Sequence, residues 1–226
     1  MELREFMSVR RAYNLVRQDT EGPERLTFEE FAILCRLSLS PNAMKTSEIA
    51  DYQGALRPTM THRANHLADL GYIVRDEGTS DRRNIVCSIS SAGRQRVREL
   101  ARKTCSRIPT GQPLARTSAE RMCKYVDAMG SVYCTAGELV QLCLFGDAEG
   151  EGSTVTSLIN KLGLLQPTVS MSVATLVRKG LVDRKRIEGM SMRSSYIVLT
   201  DSGYKATRPL AERIENVVVR RGSRLA

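Results

Sequence analysis

The chain has no tryptophan, four phenylalanines, seven tyrosines and only two histidines among its 226 residues. So few rings give no evident aromatic-lined pocket, and two histidines leave little acid–base equipment for catalysis. No apolar run approaches the ~18–20 residues that cross a bilayer. The opening stretch, MELREFMSVRRAYNLVRQ, is charged throughout and lacks the apolar centre of a signal peptide. A soluble, cytoplasmic protein without membrane contact is expected. Cys35, Cys87, Cys105, Cys123, Cys134 and Cys143 never come as close as C-x-x-C, so no zinc site is expected. Isolated cysteines in a reducing compartment pack as small apolar side chains. A phosphate-cradling glycine loop, an HExxH motif and a Ser/His/Asp order are also missing. The expectation is no enzyme, no metal and no cofactor.

What is present is positive charge. Thirty-four Lys+Arg against 25 Asp+Glu leave +9, which suggests an anionic partner. Hydrophobic residues make up 42% of the chain, enough to bury a core. The length falls between one ordinary domain and two.

An internal repeat resolves the length. Residues 46–75 align without gaps on residues 155–184, a shift of 109. Gly54/Gly163, Leu56/Leu165, Pro58/Pro167, Leu67/Leu176, Gly71/Gly180 and Arg75/Arg184 are identical pairs. Matching segments also lie upstream of this block (Thr27 and Thr135) and downstream of it (Gly93 and Gly203). Two related units are expected, residues 1–108 and 109–226. Residues 1–108 hold 18 basic and 14 acidic residues, so 18 − 14 = +4, which leaves +5 of the total +9 for residues 109–226. Neither half is a basic tail.

Each half has the same local pattern. Helices are expected over residues 3–18 and 117–131. A second helix in each half follows the cap residue Thr27 or Thr135. A short helix covers Thr46–Tyr52 or Thr154–Leu162, and Gly54 or Gly163 can supply the left-handed turn that ends it. Pro58 or Pro167 opens a further helix at a position where its missing N–H costs nothing. Two β-type runs around a polar tip then predict a hairpin, followed by a last helix near Ser91 or Ser202. The fold class is mainly α with small β-hairpin wings, as two winged helix-turn-helix units. Ile108–Pro113 reads as a bend between the halves.

The first hairpin carries a more specific pattern. Gly71-Tyr72-Ile73-Val74-Arg75, then Ser80-Asp81-Arg82-Arg83, Val86 and Ile89-Ser90-Ser91-Ala92-Gly93 resembles the MarR family of bacterial transcriptional regulators. The distinctive part is Asp81 two residues before Arg83, a spacing that lets the carboxylate hold the guanidinium extended. An arginine so held suits a narrow, electronegative minor groove. The second wing has Ser191-Met192-Arg193 instead, without the orienting aspartate, and Lys185 and Arg186 are the nearby phosphate-contact candidates. The resemblance implies double-stranded DNA as partner and a small aromatic effector. It also implies that helices paired between protomers in such dimers are joined covalently here. The result would be a monomeric pseudo-dimer in one polypeptide, leaving further self-association open.

The reading-helix candidates follow from the same alignment. The first half offers Arg57, Thr59, Thr61, His62 and Arg63, with His66 beside them. The second offers Gln166, Thr168, Ser170, Met171 and Ser172. Arginine pairs bidentately with guanine and glutamine with adenine, while hydroxyls suit phosphate. Different side chains at matched positions predict an imperfectly palindromic operator. The plain alternative is that such residues merely solvate a helix face. His62, His66 and Asp69 have a metal-like spacing, but a metal there would compete with DNA. Cys105 and Cys123 flank the bend and are expected to be inert. The cluster Arg94, Arg96, Arg98, Arg102, Lys103 and Arg107 mixes two helical faces and is expected to be solvated. The rival function is a winged-helix module that binds a protein and has reduced or lost DNA binding.

Overall fold

The computed structural model describes residues 1–77, 85–147, 152–186 and 195–220. They are mainly helical, with small antiparallel sheets. The chain divides into two compact units. One gathers Val16–Tyr133 with the described tail from Val217, the other Met1–Leu15 with Cys134–Asn216.

In the first of these units, helix α2 (Phe28–Leu39) starts at a capping box. Glu30 N donates to Thr27 Oγ1 at 3.2 Å and Thr27 N donates back to Glu30 Oε2 at 2.7 Å, so two backbone donors at the helix start are satisfied. Phe31, Leu34 and Cys35 are fully buried on its inner face. Helix α3 (Thr46–Gln53) ends where Gly54 takes φ 58°, and α4 (Arg57–Asp69) follows with Pro58 in its first turn. Strands β2 (Ile73–Glu77) and β3 (Ile85–Ile89) pair antiparallel with Ile73 opposite Ile89. A two-residue strand, β1 (Met44–Lys45), adds to the other edge of β3 with Met44 opposite Cys87. Two residues carry no readable periodicity, so the sequence did not announce β1.

Helix α5 (Ser91–Ser106) is capped by Ser90, whose Oγ accepts from Gly93 N at 2.9 Å and donates to Gly71 O at 2.6 Å. Helix α6 (Ala119–Met129) lays Met122, Cys123, Tyr125, Val126 and Met129 against α2 and α5. That stripe at i, i+3, i+4, i+7 is its packing face. Gly130, just past α6, leaves no room for a Cβ beside Tyr52 and Ala32.

The other unit repeats the element order. Helix α7 (Ala136–Gly146) opens on the equivalent capping box, with Glu138 N donating to Thr135 Oγ1 at 3.2 Å and Thr135 N to Glu138 Oε2 at 2.7 Å. Helix α8 (Val155–Leu162) ends at Gly163 with φ 59°, and α9 (Gln166–Arg178) begins with Pro167 in its first turn. Strands β4 (Val182–Arg186) and β5 (Ser195–Leu199) pair with Val182 opposite Leu199, and Ser153 bridges to Ile197 where the first sheet has β1. Helix α10 (Asp201–Glu215) is capped by Thr200.

Helix α1 (Leu3–Gln18) supplies the packing helix of this second unit. Asn14 Nδ2 donates to Leu162 O at 2.9 Å and Arg11 Nε to Asn160 O at 2.7 Å, so α1 satisfies carbonyls at the C-terminal end of α8. A Cβ on Gly163 would meet Arg11 O at 2.7 Å, so the close approach of α1 requires glycine there as well as the turn does. The leading helix of the first half therefore packs on elements of the second, while α6 of the second half packs on elements of the first.

Candidate nucleic-acid interface

Helix α4 divides cleanly into faces. Met60, Ala64 and Leu67 point into the core, at 0–1% exposure. Arg57, Pro58, Thr59, Thr61, His62, Asn65 and Asp69 are exposed. Pro58, His62, Asn65 and Asp69 recur at i, i+4, i+7 and i+11 and form the centre line of the outward face. Asn65 was missed by the sequence reading. Its spacing from Pro58 and His62 was the available signal. Its Oδ1 accepts a hydrogen bond from Arg75 Nη1 on β2, so β2 and α4 meet at this side chain.

Two of the residues considered for reading are occupied at the flank. Arg63 is half-buried and its Nη1 donates to Gln53 Oε1 at 2.7 Å. Gln53 Nε2 in turn donates to Glu29 O at 2.8 Å, linking α4 through α3 to α2. His66 is also half-buried, with Nδ1 2.6 Å from Glu30 Oε1 and Nε2 3.1 Å from Pro23 O. His66 is thus held by the buried Glu30 carboxylate on α2, while His62 is exposed.

Helix α9 has the same backbone pattern and a different surface. Val169, Val173 and Leu176 are buried. Gln166, Pro167, Met171, Ala174 and Arg178 are exposed, whereas Thr168, Ser170 and Ser172 are half-buried. The centre line here reads Pro167, Met171, Ala174, Arg178, with Met171 at 71% exposure. Lys185 is exposed on β4, and Arg186 ends that strand. Asp81, Arg82, Arg83 and Arg193 lie outside the described residues.

A polar clasp joins α3 to α2 and α6. Tyr52 Oη donates to the Asp127 carbonyl, Arg36 Nε lies 2.7 Å from Asp127 Oδ1, and the Arg36 guanidinium stacks 4.0 Å above the Tyr52 ring centre. These three residues join α3, α2 and α6. Burial pushes the Asp127 carboxyl above its ordinary range, with Arg36 pulling the other way. Burial likewise raises the Tyr52 hydroxyl, so it stays a donor. One turn before Asp127, Cys123 of α6 neighbours Cys35 of α2. Burial pushes the Cys35 thiol up, and the interaction with Cys35 holds Cys123 down. The two are far apart in sequence, which gave no sign of their proximity. Cys105 is half-buried and raised by burial, and Cys143 is pushed up to about 12, also by burial first. None of the six cysteines is in a disulfide.

The arginine cluster on α5 divides between structure and solvent. Arg96 is buried at 7% and donates to Glu99 Oε2 at 2.9 Å and to Glu24 O at 3.0 Å. Lys103 pairs with Glu99 at 2.7 Å, and Arg107 pairs with Asp19. Arg94, Arg98 and Arg102 are exposed. Among the described residues no His/Cys/Asp/Glu group has the grouping of a metal site, and no helix is long and apolar enough to cross a membrane.

Residues 26–85 match the model of the MarR family. That segment runs from the start of α2 through α3, α4 and β2 to the first residue of β3. No curated protein matches the chain. Among solved structures, the YusO protein from Bacillus subtilis is 24% identical, with a TM-score of 0.37 over 41% of this chain and 63% of that one. The chain therefore spans less than two thirds of that relative. CouR from Rhodococcus jostii RHA1, solved bound to p-coumaroyl-CoA, is 18% identical, with a TM-score of 0.37 over 57% of this chain and 85% of that one.

Proposed function

We propose that this chain is a sequence-specific, double-stranded-DNA-binding transcriptional regulator of the MarR type. Helices α4 and α9 enter the major groove, and the segments joining β2 to β3 and β4 to β5 reach the adjacent minor groove. The observation that carries this reading is the division of α4. Its flank residues Arg63 and His66 are held by Gln53 and Glu30, while Arg57, Thr59, Thr61 and His62 stay exposed on the outer side. A helix fixed on one side and polar on the other presents side chains in a set geometry, which base readout needs. The MarR match over residues 26–85 covers that whole assembly.

Two heads in one polypeptide extend the proposal. Joining them covalently removes the concentration dependence of pairing and lets each read a different half-site. The roles follow the sequence. Arg57, Thr59, Thr61 and His62 serve the first half-site, with Arg63 bracing the helix against Gln53 and with Asp81, Arg82 and Arg83 at the wing. Gln166, Thr168, Ser170, Met171 and Ser172 serve the second, with Lys185, Arg186 and Arg193. A small aromatic effector, implied by the family resemblance, would act by binding DNA-competent and DNA-incompetent states unequally.

The test is selection of bound sequences from random DNA with the full chain, followed by mobility-shift titration at several salt concentrations. The expected result is a preferred, imperfectly palindromic sequence whose affinity falls steeply with salt. Micromolar or weaker binding without sequence preference would favour the rival reading, a winged-helix module for a protein partner.

A further inference from the structure

The outward centre lines of the two reading helices differ in one respect that charge counting conceals. At the 109-residue shift, His62 and Asn65 of α4 stand where α9 has Met171 and Ala174. The donors and acceptors at the middle of the first face are replaced by a thioether and a methyl. Met171 is 71% exposed, and Leu165, at the entry to α9, is 50% exposed. At 71% exposure most of the Met171 side chain is left uncovered. The inner face of α9 is already filled by Val169, Val173 and Leu176.

The surroundings identify what would cover this face. Arg178 and Lys179 close the helix, and Arg184 and Lys185 follow on β4; all four are exposed, with Asp183 the acidic residue among them. An apolar strip bordered by cations suits a polyanion that itself carries apolar groups. In the major groove, one base presents such a group, the C5-methyl of thymine. A protein partner matched to the strip would have to bring acidic residues to the same border.

We infer that Met171 and Ala174 make α9 a thymine-methyl reader, so that the second half-site is chosen by apolar contact and the first by hydrogen bonding. This rests on the DNA-binding reading above and names the specificity of its second head. Ser170, half-buried beside Met171, is the adjacent polar group for a phosphate or base edge.

Deoxyuridine lacks only the methyl of thymidine, so the test replaces thymines by uracils in one half of the selected operator at a time, using the full chain. Substitution in the half-site covered by α9 should weaken binding about fourfold per contacted base, the equivalent of burying one methylene, ~0.8 kcal/mol. Met171→Ser should reduce the penalty at that half-site to the part left to Ala174, and Met171→Leu should restore it. Uracil in the other half-site should act alike on wild type and Met171→Ser. Equal uracil penalties in wild type and Met171→Ser at the α9 half-site would overturn the inference. So would a footprint confined to the other half-site, which leaves the regulator reading standing and points to a protein on this face. Absence of any sequence preference in wild type would instead remove the regulator reading itself.

Discussion

His66 Nδ1 lies 2.6 Å from Glu30 Oε1, and the Glu30 side chain is only 5% exposed. The same carboxylate closes the capping box at Thr27 through Oε2, so one buried group fixes both the start of α2 and the flank of α4. Helix α4 is thereby docked on α2 through His66, while Arg57, Thr59, Thr61 and His62 stay exposed.

His66→Ala should therefore cost stability without changing base preference. Removing the partner of a buried carboxylate is expected to lower the unfolding free energy by about 1–3 kcal/mol. His62→Ala, on the exposed line, should do the reverse, with stability within about 0.5 kcal/mol of wild type and a changed selected sequence. Urea unfolding and sequence selection on both variants check this. A His66→Ala protein of unchanged stability would show that the hydrogen bond to Glu30 does not hold the helix.

The glycines at the start of the last helix of each head predict a matched pair of failures. A Cβ on Gly93 would sit 2.0 Å from Tyr72 O, and one on Gly203 would sit 2.0 Å from Leu181 O. In each case the obstacle is the backbone of the residue just before the strand, already bonded to the cap residue, Ser90 N to Tyr72 O at 3.0 Å and Thr200 N to Leu181 O at 3.1 Å. Gly93→Ala and Gly203→Ala should each destabilise by about 1–3 kcal/mol or more, as overpacking does. Thermal unfolding measures it, and a neutral effect in either would mean that helix and strand separate easily.

These glycines also show what was legible from the residues alone. Every long helix and both hairpins were readable, because apolar spacing, capping threonines and terminal glycines agree in each half. Equal spacing of Gly54 and Gly163 located the turns before any coordinates. The packing partners of α1 and α6 were not readable. Both are amphipathic helices with similar apolar stripes, and nothing in such a stripe names the surface it covers. The contacts of Asn14 with Leu162 and of Arg36 with Asp127 join residues far apart in the chain, and only the folded structure brings them together. For the site, Arg57, Thr59, Thr61 and His62 were placed on the exposed side of α4, but Arg63 and His66 were counted with them and Asn65 was not, because the inward partners Gln53 and Glu30 lie on other elements.

The clasp at Asp127 has a pH signature whose sign follows from its burial. Its carboxyl is raised in the folded state above the ordinary 3.8. The folded protein then binds that proton more tightly than the unfolded chain does. The contribution is complete below the unfolded value and is lost as pH rises through the raised folded value. Asp127→Asn mimics the neutral form at every pH. The stability of wild type relative to Asp127→Asn should therefore fall as pH climbs from about 3.8. Parallel unfolding curves across that window would show that Arg36 fully offsets the burial.

The two wings predict unequal losses. Asp81 stands two residues before Arg83, whereas Ser191 stands before Arg193. An arginine already held by a carboxylate loses less side-chain freedom when it enters the minor groove, so more of its interaction appears as affinity. Arg83→Ala should weaken binding to the selected operator more than Arg193→Ala, and Asp81→Ala should bring Arg83 towards the Arg193 level. Arg57→Ala belongs in the same series as a control of a different kind. Its loss should be about 1–3 kcal/mol and concentrated at one base pair, since a bidentate guanine contact discriminates and a wing contact mainly adds affinity. Mobility-shift titrations of the four variants at one salt concentration decide the matter. Equal losses for Arg83→Ala and Arg193→Ala would remove the role given to Asp81.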